Sequence, residues 1–444
     1  HNSAVTNGTS CLVDGAKRDR LVWAGDMSIA VPGVVSTNGL VTIQNSLNSL
    51  FAIQNRTSGQ LPYAGVPFSS LGIYSATYHL YNLIGVADYY MYSNDIDYLR
   101  SLWDQFKLAL HFSLGFIDKS GMMSVTSAAD WLRFGMGGHN IEANSILYYS
   151  INQAIKLATA LNDTSIISSW QSVAAGIKAS ANRLLWNSTT NMYHDNETTT
   201  LMPQDGNSWA VVANLTENST QIESISVNLA KRWTPYGAPA VEADNAISPF
   251  ISGFELQAHF LASNATAALD LMRLEWGFML DDPRMTNSTF IEGYDSSGEL
   301  HYAPYLNDAR ISHAHGWATG PTSSLSFCVA GIQLMSAGGK TWRIVPALGD
   351  LNFVEAGFRT SLGIFAAKTA VDGKGGLKME FEAPAGTMRE VAVPHLASTG
   401  KITLHETNGA CEDVVVEVAA ENVGSVDIRG LIGGRWQSKF TTRT

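Results

Sequence analysis

A short polar cluster near the N-terminus has the residue types of a sugar-binding site. The stretch DGAKRDRLVWAGD, from Asp14 to Asp26, brings carboxylates, basic side chains and Trp23 together within thirteen residues. Gly15 and Gly25 favour an irregular loop over a helix. Carboxylates lined by guanidinium groups and an aromatic ring suit the binding of sugar hydroxyls and ring faces. A solvated turn with surface ion pairs would have the same composition, so this segment alone leaves both interpretations open.

A second cluster lies almost 300 residues later. It comprises STFIEGY, which contains Glu292, and SHAHGWATGPT, which contains His313, His315 and Trp317. A glutamate before glycine is by default a turn residue, but two histidines beside a tryptophan are less ordinary. A His-x-His pair also suits a metal ion, yet no third ligand with metal-site spacing follows nearby. We therefore expect no metal site and no cofactor.

The hydrophobic patterns predict a helical domain followed by a β domain. From about residue 38 to 336, apolar residues recur at three- and four-residue steps, as in SATYHLYNLIGVADYYMY. Turn residues separate these stretches into pairs, which favours a closed ring of helical hairpins over a solenoid. From about residue 342, short alternating runs such as GLKMEFEAP indicate strands of a small antiparallel sandwich. The predicted domains are an N-terminal segment 1–37, a helical domain 38–337 and a β domain 338–444.

The bulk composition excludes several classes of partner. The 444 residues have a net charge of -11 and a pI of about 5.4, without a basic patch. Nucleic acid is therefore not an expected partner. The sequence contains no run of eighteen apolar residues, so no membrane span is expected. The polar first residues are not a signal peptide, and any such peptide has been removed.

Glycosylation sequons indicate the compartment. Nine occur, at Asn7, Asn55, Asn162, Asn187, Asn196, Asn214, Asn218, Asn264 and Asn287. A surface rich in Asn, Ser and Thr can produce sequons by accident, but nine favour a secreted, extracellular eukaryotic protein with N-linked glycans. Of three cysteines, Cys328 lies in an apolar helical pattern, typical of a small buried residue. Pairing of Cys11 with Cys411 would tie the N-terminus to the C-terminal domain.

Taken together, the motifs resemble fungal α-L-rhamnosidases of glycoside hydrolase family 78, within the six-hairpin glycosidase superfamily. The motifs, in chain order, are DGAKRDRLVWAGDM, SAADWLRFG, GGHNIEANSILYY, SPFISGFELQAHF, STFIEGY and SHAHGWATGPT. The resemblance covers the helical region and continues through TWRIVPALGDLNFVEAG into the β domain. It implies a mainly α fold, an (α/α)6 barrel followed by an antiparallel β-sandwich. It also implies hydrolysis of terminal rhamnose from plant glycosides or polysaccharides, with inversion.

The resemblance also assigns roles to individual residues. Asp19 falls on the general acid and Glu292 on the general base. Substrate-binding residues would be Asp14, Arg18, Trp23, Asp26, His79, Trp131, Tyr148 (or its neighbour Tyr149) and His313, with His79 assigned from the Tyr78-His79 pair. Two features depart from the family: many bacterial members have Glu at the acid position, and family members usually have β domains before the barrel. The chain is accordingly expected to be either a minimal member or the C-terminal piece of a precursor.

The chemistry of glycoside cleavage sets a condition on this pair. One carboxyl group must protonate the leaving oxygen while the other activates water, and inversion separates the two by roughly 6.5–9.5 Å. The pKa of Asp19 must be raised for it to act as an acid. Arg18 and Arg20 would lower that pKa if they faced the carboxylate. Our hypothesis is that they turn toward the substrate or toward Asp14 and Asp26.

Two other functions fit parts of the sequence. Related helical toroids include lyases that cleave uronate-linked sugars by β-elimination with Tyr or His as the base, and His79 and the two histidines of SHAHG suit that role. An unsaturated, ultraviolet-absorbing product would identify a lyase. A catalytically inactive carbohydrate-binding homologue is the third interpretation, supported by Asp19 in place of Glu. It predicts sugar binding without turnover.

Overall fold

Helices occupy most of the chain up to Ser324, and strands dominate after Ile332, in agreement with the predicted change of pattern. The structure is a computed structural model that describes residues 9–17, 20–35, 39–371, 377–394, 400–407, 412–418 and 425–442. The α-helices in these ranges are α1 (Ala24–Val34), α2 (Leu40–Phe51), α3 (Ala76–Ser93), α4 (Ile96–Leu114), α5 (Ile141–Leu161), α6 (Ile167–Leu185), α7 (Gln204–Val212), α8 (Ser219–Ala230), α9 (Pro249–Leu261), α10 (Ala265–Leu271), α11 (Gly277–Asp281) and α12 (Gly320–Ser324). Two π-helical segments, Met272–Trp276 and Leu325–Val329, follow α10 and α12.

The helices form two layers that differ in burial. Helices α3, α7 and α9 and the first two turns of α5 are buried on nearly all sides, and neighbours in this inner layer pack on one another. Helices α4, α6 and α8 have one buried face and one exposed face, and α6 and α8 pack against inner helices. An amphipathic helix can cover an apolar layer while its polar face meets water. The apolar spacing in the sequence marks helices of both layers, and the structure separates the two layers by burial.

Polar caps fix the starts of several helices. Asp95, Asn140, Asn218 and Asn264 each accept a hydrogen bond from the backbone N–H three residues later, at the start of α4, α5, α8 and α10. These side chains satisfy amide groups that the helix itself leaves without partners. The cap at Asn140 sets the beginning of α5, where Glu142 lies in the first turn.

The strands form one large sheet and two small ones. Their bounds are β1 (Trp186–Asn187), β2 (Met192–Tyr193), β3 (Pro239–Ala240), β4 (Ala246–Ile247), β5 (Tyr294–Asp295), β6 (Ile332–Leu334), β7 (Thr341–Ile344), β8 (Phe353–Thr360), β9 (Gly363–Val371), β10 (Leu377–Pro394), β11 (Gly400–Glu406), β12 (Val414–Val418) and β13 (Ser425–Thr442). The large sheet has the order β12-β11-β13-β10-β7-β6, and the β8–β9 hairpin pairs with β10 through β9. The short ribbons β1–β2 and β3–β4–β5 lie within the helical part of the chain.

Strand β10 is the centre of the large sheet. Its first half pairs with β9, its second half with β7, and a register shift between Ala383 and Met388 separates the halves along β13. The β7–β10 pair is parallel, whereas the prediction was an antiparallel arrangement throughout. The reason is that the whole β8–β9 hairpin lies between these strands in sequence, so the chain returns in its original direction. Trp342, Phe365, Phe381 and Trp436 fill the core on the sheet.

Contacts divide the chain into two compact units. The first comprises His1–Pro32, Leu40–Tyr89 and Asp95–Gly320, and the second Gly33–Gly39, Tyr90–Asn94 and Pro321–Thr444. The predicted domain boundary between residues 337 and 338 follows the change from helical to strand patterns, whereas the chain already leaves the first unit after Gly320. No helix in the described ranges is long and apolar enough to cross a membrane.

Candidate active site

The N-terminal loop is hydrogen-bonded along the segment that follows Glu292. Gly15 and His315 form a β-bridge, Ala16 N–H donates to Ala314 O at 3.0 Å, and Gly316 N–H donates to Asp14 O at 2.6 Å. A Cβ atom at Gly15 would lie 2.9 Å from the Ala314 carbonyl oxygen, so only glycine permits this approach. The two clusters singled out in the sequence are therefore neighbours in space.

Glu292 is a buried carboxylate with donors on both oxygens. Tyr305 donates its hydroxyl proton to Oε1, and the Ser312 backbone N–H donates to Oε2 at 2.8 Å. The Glu292 backbone is held on both sides: its N–H donates to Ser312 O, and its carbonyl accepts from Trp317 Nε1, each at 2.8 Å. Hydrogen bonds of this kind stabilise a carboxylate and fix its direction. The arrangement suits a base that must accept a proton from a positioned water.

Two further carboxylates come from the N-terminal cluster. Asp26 lies in the first turn of α1 and accepts a hydrogen bond from His315 Nε2 at 3.1 Å. Asp14 closes its own loop, because its Oδ1 accepts the Leu21 N–H at 2.9 Å and its backbone N–H donates to Leu21 O at 3.0 Å. Both side chains are buried. Each is thus held by a neighbour that it meets only in the folded chain.

Aromatic rings form another part of the wall. Trp23 packs edge-on against Tyr63 and Tyr78, with ring centroids 4.9 Å and 5.8 Å away. Its Nε1 is buried and has no acceptor among the described residues. An indole N–H in that position is available to a ligand oxygen, since a buried donor left without a partner is costly.

These side chains line a pocket with a cavity volume of about 50 Å³ that opens to solvent. It is lined by Asp14, Trp23, Asp26, Tyr63, Tyr78, Asp130, Trp131, Leu132, Glu292, Tyr305, His315 and Trp317. Carboxylates bind sugar hydroxyls, and aromatic faces pack on the C–H groups of a sugar ring. The lining is therefore that of a small, strongly acidic sugar pocket.

Five of the predicted site residues meet in this pocket: Asp14, Trp23, Asp26, Trp131 and Glu292. Two others, Arg18 and the proposed acid Asp19, lie outside the described residues. Their roles, and the separation between the two catalytic carboxyl groups, stay predictions.

Three predicted residues lie elsewhere. Both ring nitrogens of His79 bond backbone groups, Leu61 N–H at 3.0 Å and Ala109 O at 2.9 Å, and burial lowers its pKa to about 4. Tyr148 lies outside the pocket lining, with Lys178 Nζ 6.0 Å from its ring centroid. His313 is half-buried outside the lining, and His315 occupies the pocket position instead. The bridge between Gly15 and His315 fixes that register.

Sequence reasoning missed several lining residues. His315 and Trp317 were inside a cluster it had identified, and Tyr78 was one member of a pair from which His79 was chosen. Tyr63, Asp130 and Tyr305 were not considered, although Asp130 immediately precedes Trp131 in the motif SAADWLRFG. An acidic residue next to a predicted aromatic wall is the signal that could have identified it.

Behind Trp131 lies a group of buried carboxylates that we call the acidic cluster: Asp130, Glu142, Asp195, Asp205 and Glu242. Arg133 forms ion pairs with Asp195 at 2.7 Å and Asp205 at 3.0 Å. Oxygens of Asp130, Glu142 and Asp205 approach within 4.8 Å of one another, as in some metal sites. However, both Asp205 oxygens already accept hydrogen bonds from Arg133 Nη1. The expectation of no metal stays a prediction.

The described residues include only some of the predicted cysteine and glycosylation positions. Cys411 and Asn7 lie outside the described residues, so the Cys11–Cys411 pairing stays a prediction. Cys328 has a free, half-buried thiol whose pKa burial raises to about 12. Five of the described sequon asparagines are exposed: Asn55, Asn162, Asn214, Asn218 and Asn287. The other three, Asn187, Asn196 and Asn264, are half-buried, and the Nδ2 group of each makes a hydrogen bond.

The fold is shared with solved α-L-rhamnosidases. The enzyme from Dictyoglumus thermophilum matches with a TM-score of 0.75 at 15% identity, over 97% of this chain and 47% of that one. The Streptomyces avermitilis enzyme, solved with L-rhamnose, gives 0.73 at 18% over 96% and 39%. The Aspergillus terreus enzyme gives 0.71 at 18% over 96% and 47%. This chain thus spans about half the length of these structures or less.

No curated protein matches the chain in sequence. A family model, however, matches residues 1–241, which is more than half of the 444 residues. This matched region contains the N-terminal loop, α1 and the segment around Trp131, and so most of the pocket wall. The chain belongs to the family of the bacterial alpha-L-rhamnosidase six-hairpin glycosidase domain.

Proposed function

We propose that the protein is an inverting α-L-rhamnosidase that removes terminal rhamnose from plant glycosides or polysaccharides. The observation that supports this most directly is Glu292, a buried carboxylate held by Tyr305 and Ser312 in a pocket with acidic and aromatic walls. The family is that of rhamnosidase domains, and the Streptomyces avermitilis relative was solved with L-rhamnose. L-Rhamnose is therefore the first ligand to test.

In the proposed reaction Glu292 removes a proton from a water molecule that attacks the anomeric carbon. Asp19 protonates the leaving oxygen on the other face of the sugar, as inversion requires. Asp14 and Asp26 bind hydroxyl groups of the sugar. The C5 methyl group of rhamnose contacts the indole faces of Trp23 or Trp131, which excludes water from the reacting centre.

We also propose the finer features of fold and compartment that the resemblance implies. These are an (α/α)6 barrel closed by the helical hairpins, a β-sandwich built from the C-terminal strands, fungal origin, and secretion with N-linked glycans. The alternation of inner and outer helices and the exposure of Asn55, Asn162, Asn214, Asn218 and Asn287 support them.

A lyase reaction has less support than hydrolysis. The bases considered for it were His79 and the two histidines of SHAHG. His313 lies outside the pocket lining, and Nε2 of His315 is hydrogen-bonded to Asp26. Both ring nitrogens of His79 are occupied by the backbone of Leu61 and Ala109. A histidine with a pKa lowered to about 4 by burial, and no contact with the pocket, is not placed to remove a substrate proton.

The decisive experiment compares wild type with Glu292→Gln on an aryl α-L-rhamnoside. We expect wild type to release the aryl alcohol and Glu292→Gln to lose activity by a factor of about 10³ or more, since an essential base is removed while the shape is kept. Glu299→Gln is the matched control, because Glu299 lies seven residues further on and is 77% exposed. Early NMR spectra of the product should show β-L-rhamnose first.

Other outcomes would contradict the proposal in distinguishable ways. Binding of L-rhamnose without turnover by wild type would indicate the inactive homologue. An unsaturated, ultraviolet-absorbing product would indicate the lyase. For the acid, Asp19→Asn should lose more activity on an alkyl rhamnoside than on a nitrophenyl rhamnoside, because a good leaving group needs less protonation. Equal losses on both substrates would refute the assignment of Asp19.

A further inference from the structure

The pocket wall at Trp131 depends on a backbone conformation that is unfavourable by itself. Leu132, which follows Trp131 and also lines the pocket, has a φ of 94°. A branched side chain rarely adopts this left-handed region, so neighbouring contacts must hold it there. The contacts on either side of Leu132 provide this hold.

Both sides of Leu132 are anchored. Before it, the Asp130 carbonyl accepts from the Tyr63 hydroxyl, the Asp130 side chain accepts from Thr77, and Trp131 Nε1 donates to Asp205 Oδ2 at 3.1 Å. After it, the Arg133 guanidinium bonds Asp205 and Asp195. These contacts fix residues 130–133 on the acidic cluster.

The acidic cluster contains more negative charge than its neighbours can offset. Among the described residues, the five buried carboxyl groups face two guanidinium groups, that of Arg133 and, at Glu242, that of Arg232. Glu142 and Asp205 lie in the first turns of α5 and α7, where each helix N-terminus contributes roughly half a positive charge. If every carboxyl group were ionised, the balance would still be negative by about two charges, which a dry interior does not tolerate. At least one carboxyl group must keep its proton.

Geometry indicates where that proton is. No N–H or hydroxyl donor in the described ranges bonds either oxygen of Glu142 or Oδ2 of Asp130, and Arg133 Nη1 is 3.8 Å from Glu142 Oε2. Carboxyl oxygens of Asp130 and Glu142 lie within 4.8 Å of each other, and a proton on one of the two groups would give both a hydrogen-bond partner, since two carboxylates have no donor to share. Asp205 already accepts from Arg133 and Trp131, so the pair needs a proton rather than a shared metal ion.

We infer that Glu142 is a positioning residue of the pocket: its carboxyl group shares one proton with Asp130, and this hydrogen bond holds residues 130–133 in the form that places Trp131 in the wall. The effect on sugar binding rests on the proposed function, whereas the shared proton does not. Burial, and next to it the charges of Asp130 and Asp205, raise the pKa of Glu142 well above its usual value, and burial raises the pKa of Asp130 to about 6.

The proton shared by Glu142 and Asp130 makes the pocket wall sensitive to pH. The titratable and charged groups that face the pair are Tyr78 and Tyr81 from α3, Arg133 from the adjoining loop and Asp205 from α7. Asp195 and Glu242 in turn face Arg133 and Asp205. When rising pH removes the last proton, Glu142 and Asp130 repel each other and the wall loses an anchor. The apparent affinity for the sugar then falls, because only the fraction of molecules that keeps Trp131 in the wall binds it.

The test compares Glu142→Ala and Glu142→Gln with wild type on an aryl α-L-rhamnoside. We expect Glu142→Ala to raise KM about tenfold while kcat changes less, because strain of this kind at Leu132 is sufficient to depopulate the competent form. Glu142→Gln should rescue KM, since its amide donates to Asp130 without a titrating proton. The ratio of the wild-type KM to the KM of Glu142→Gln should therefore rise with pH. Titrating groups that both proteins share affect the two KM values alike and leave this ratio unchanged.

Glu275→Gln is the matched control, since Glu275 is also a fully buried carboxyl group with a raised pKa but lies outside the pocket lining. It should leave KM unchanged. A Glu142→Ala variant with the wild-type KM, or a KM ratio that is constant with pH, would overturn the inference. If Glu142→Ala does not fold, the pH comparison with Glu142→Gln decides alone.

An infrared measurement separates this inference from the proposed function. The carbonyl band of a protonated carboxyl group should be present in wild type at neutral pH and lose intensity in Glu142→Gln, whatever substrate the protein uses. Loss of intensity in a protein without rhamnosidase activity would support the shared proton and refute only the function. Identical spectra would refute the shared proton even in an active enzyme.

Discussion

Glu275 offers a quantitative test of how burial acts on a carboxyl group in this fold. It lies in the π-helical segment Met272–Trp276, fully buried, with Oε2 3.4 Å from Ala238 N. Burial raises its pKa from 4.5 to about 8. The folded protein therefore keeps a proton that the unfolded chain releases above pH 4.5, so stability falls as pH rises between 4.5 and 8. The slope is about 1.4 kcal/mol per pH unit.

The substitution Glu275→Gln removes this slope while nearly keeping the shape of the side chain. Between pH 5 and pH 7, the free energy of unfolding of the variant relative to wild type should therefore rise by about 3 kcal/mol. Urea unfolding followed by the helical circular dichroism signal at several pH values measures the difference. The control is Glu223→Gln in the exposed part of α8, which should show no such trend. A difference between Glu275→Gln and wild type that does not vary with pH would refute the reasoning.

Three further predictions concern the pocket and the surface. Tyr305→Phe removes a donor to Glu292, and kcat/KM on an aryl rhamnoside should fall roughly tenfold to a hundredfold; unchanged kinetics would contradict this role. Gly25→Ala would place Cβ 2.5 Å from the Tyr78 ring, so thermal unfolding should show destabilisation of roughly 1–3 kcal/mol, and an unchanged Tm would be inconsistent with that contact. Glycopeptide mass spectrometry should find glycans on the exposed sequons Asn55, Asn162, Asn214, Asn218 and Asn287, and their absence would argue against secretion.

Much of the architecture was accessible from local patterns. Amphipathic periodicity located outer helices such as α4 and α6, because each has one wet face that leaves a period in the sequence. Apolar spacing also predicted α3, in SATYHLYNLIGVADYYMY, although that helix is almost fully buried; the place of α3 and α9 in an inner layer follows from packing. The parallel β7–β10 pair was missed for a related reason: alternation indicates a strand but not the direction of its neighbour.

The site was accessible where chemistry is concentrated in short motifs. Asp14, Trp23 and Asp26 could be selected because they lie within thirteen residues of sequence. The prediction of an irregular loop was wrong at Gly25, which lies with Asp26 in the first turn of α1. The choice of His313 over His315 failed to match the pocket, since only the bridge to Gly15 determines which histidine faces inward. No local signal distinguishes the two.

The acidic cluster was invisible to sequence reasoning for a different reason. Glu142 and Asp205 each look like ordinary residues of a helix first turn, where a negative charge is favourable. Their significance comes from meeting Asp130 across 12 and 75 positions of the sequence, in a place without water. Only the tertiary fold shows that such a residue must keep a proton.

The pairing of the N-terminal loop with the segment around His315 also has a consequence for biosynthesis. Asp26 and His315 are 289 positions apart, so the first half of the pocket leaves the ribosome long before the second. At a synthesis rate of about 5–20 residues per second, the delay is roughly 15–60 s. During that time the N-terminal loop and Trp23 lack the segment around His315 with which the loop pairs, although the intervening hairpins can already pack. Completion of the pocket is therefore a late event in folding, and a nascent chain ending before His315 would have many of its helices but an incomplete pocket.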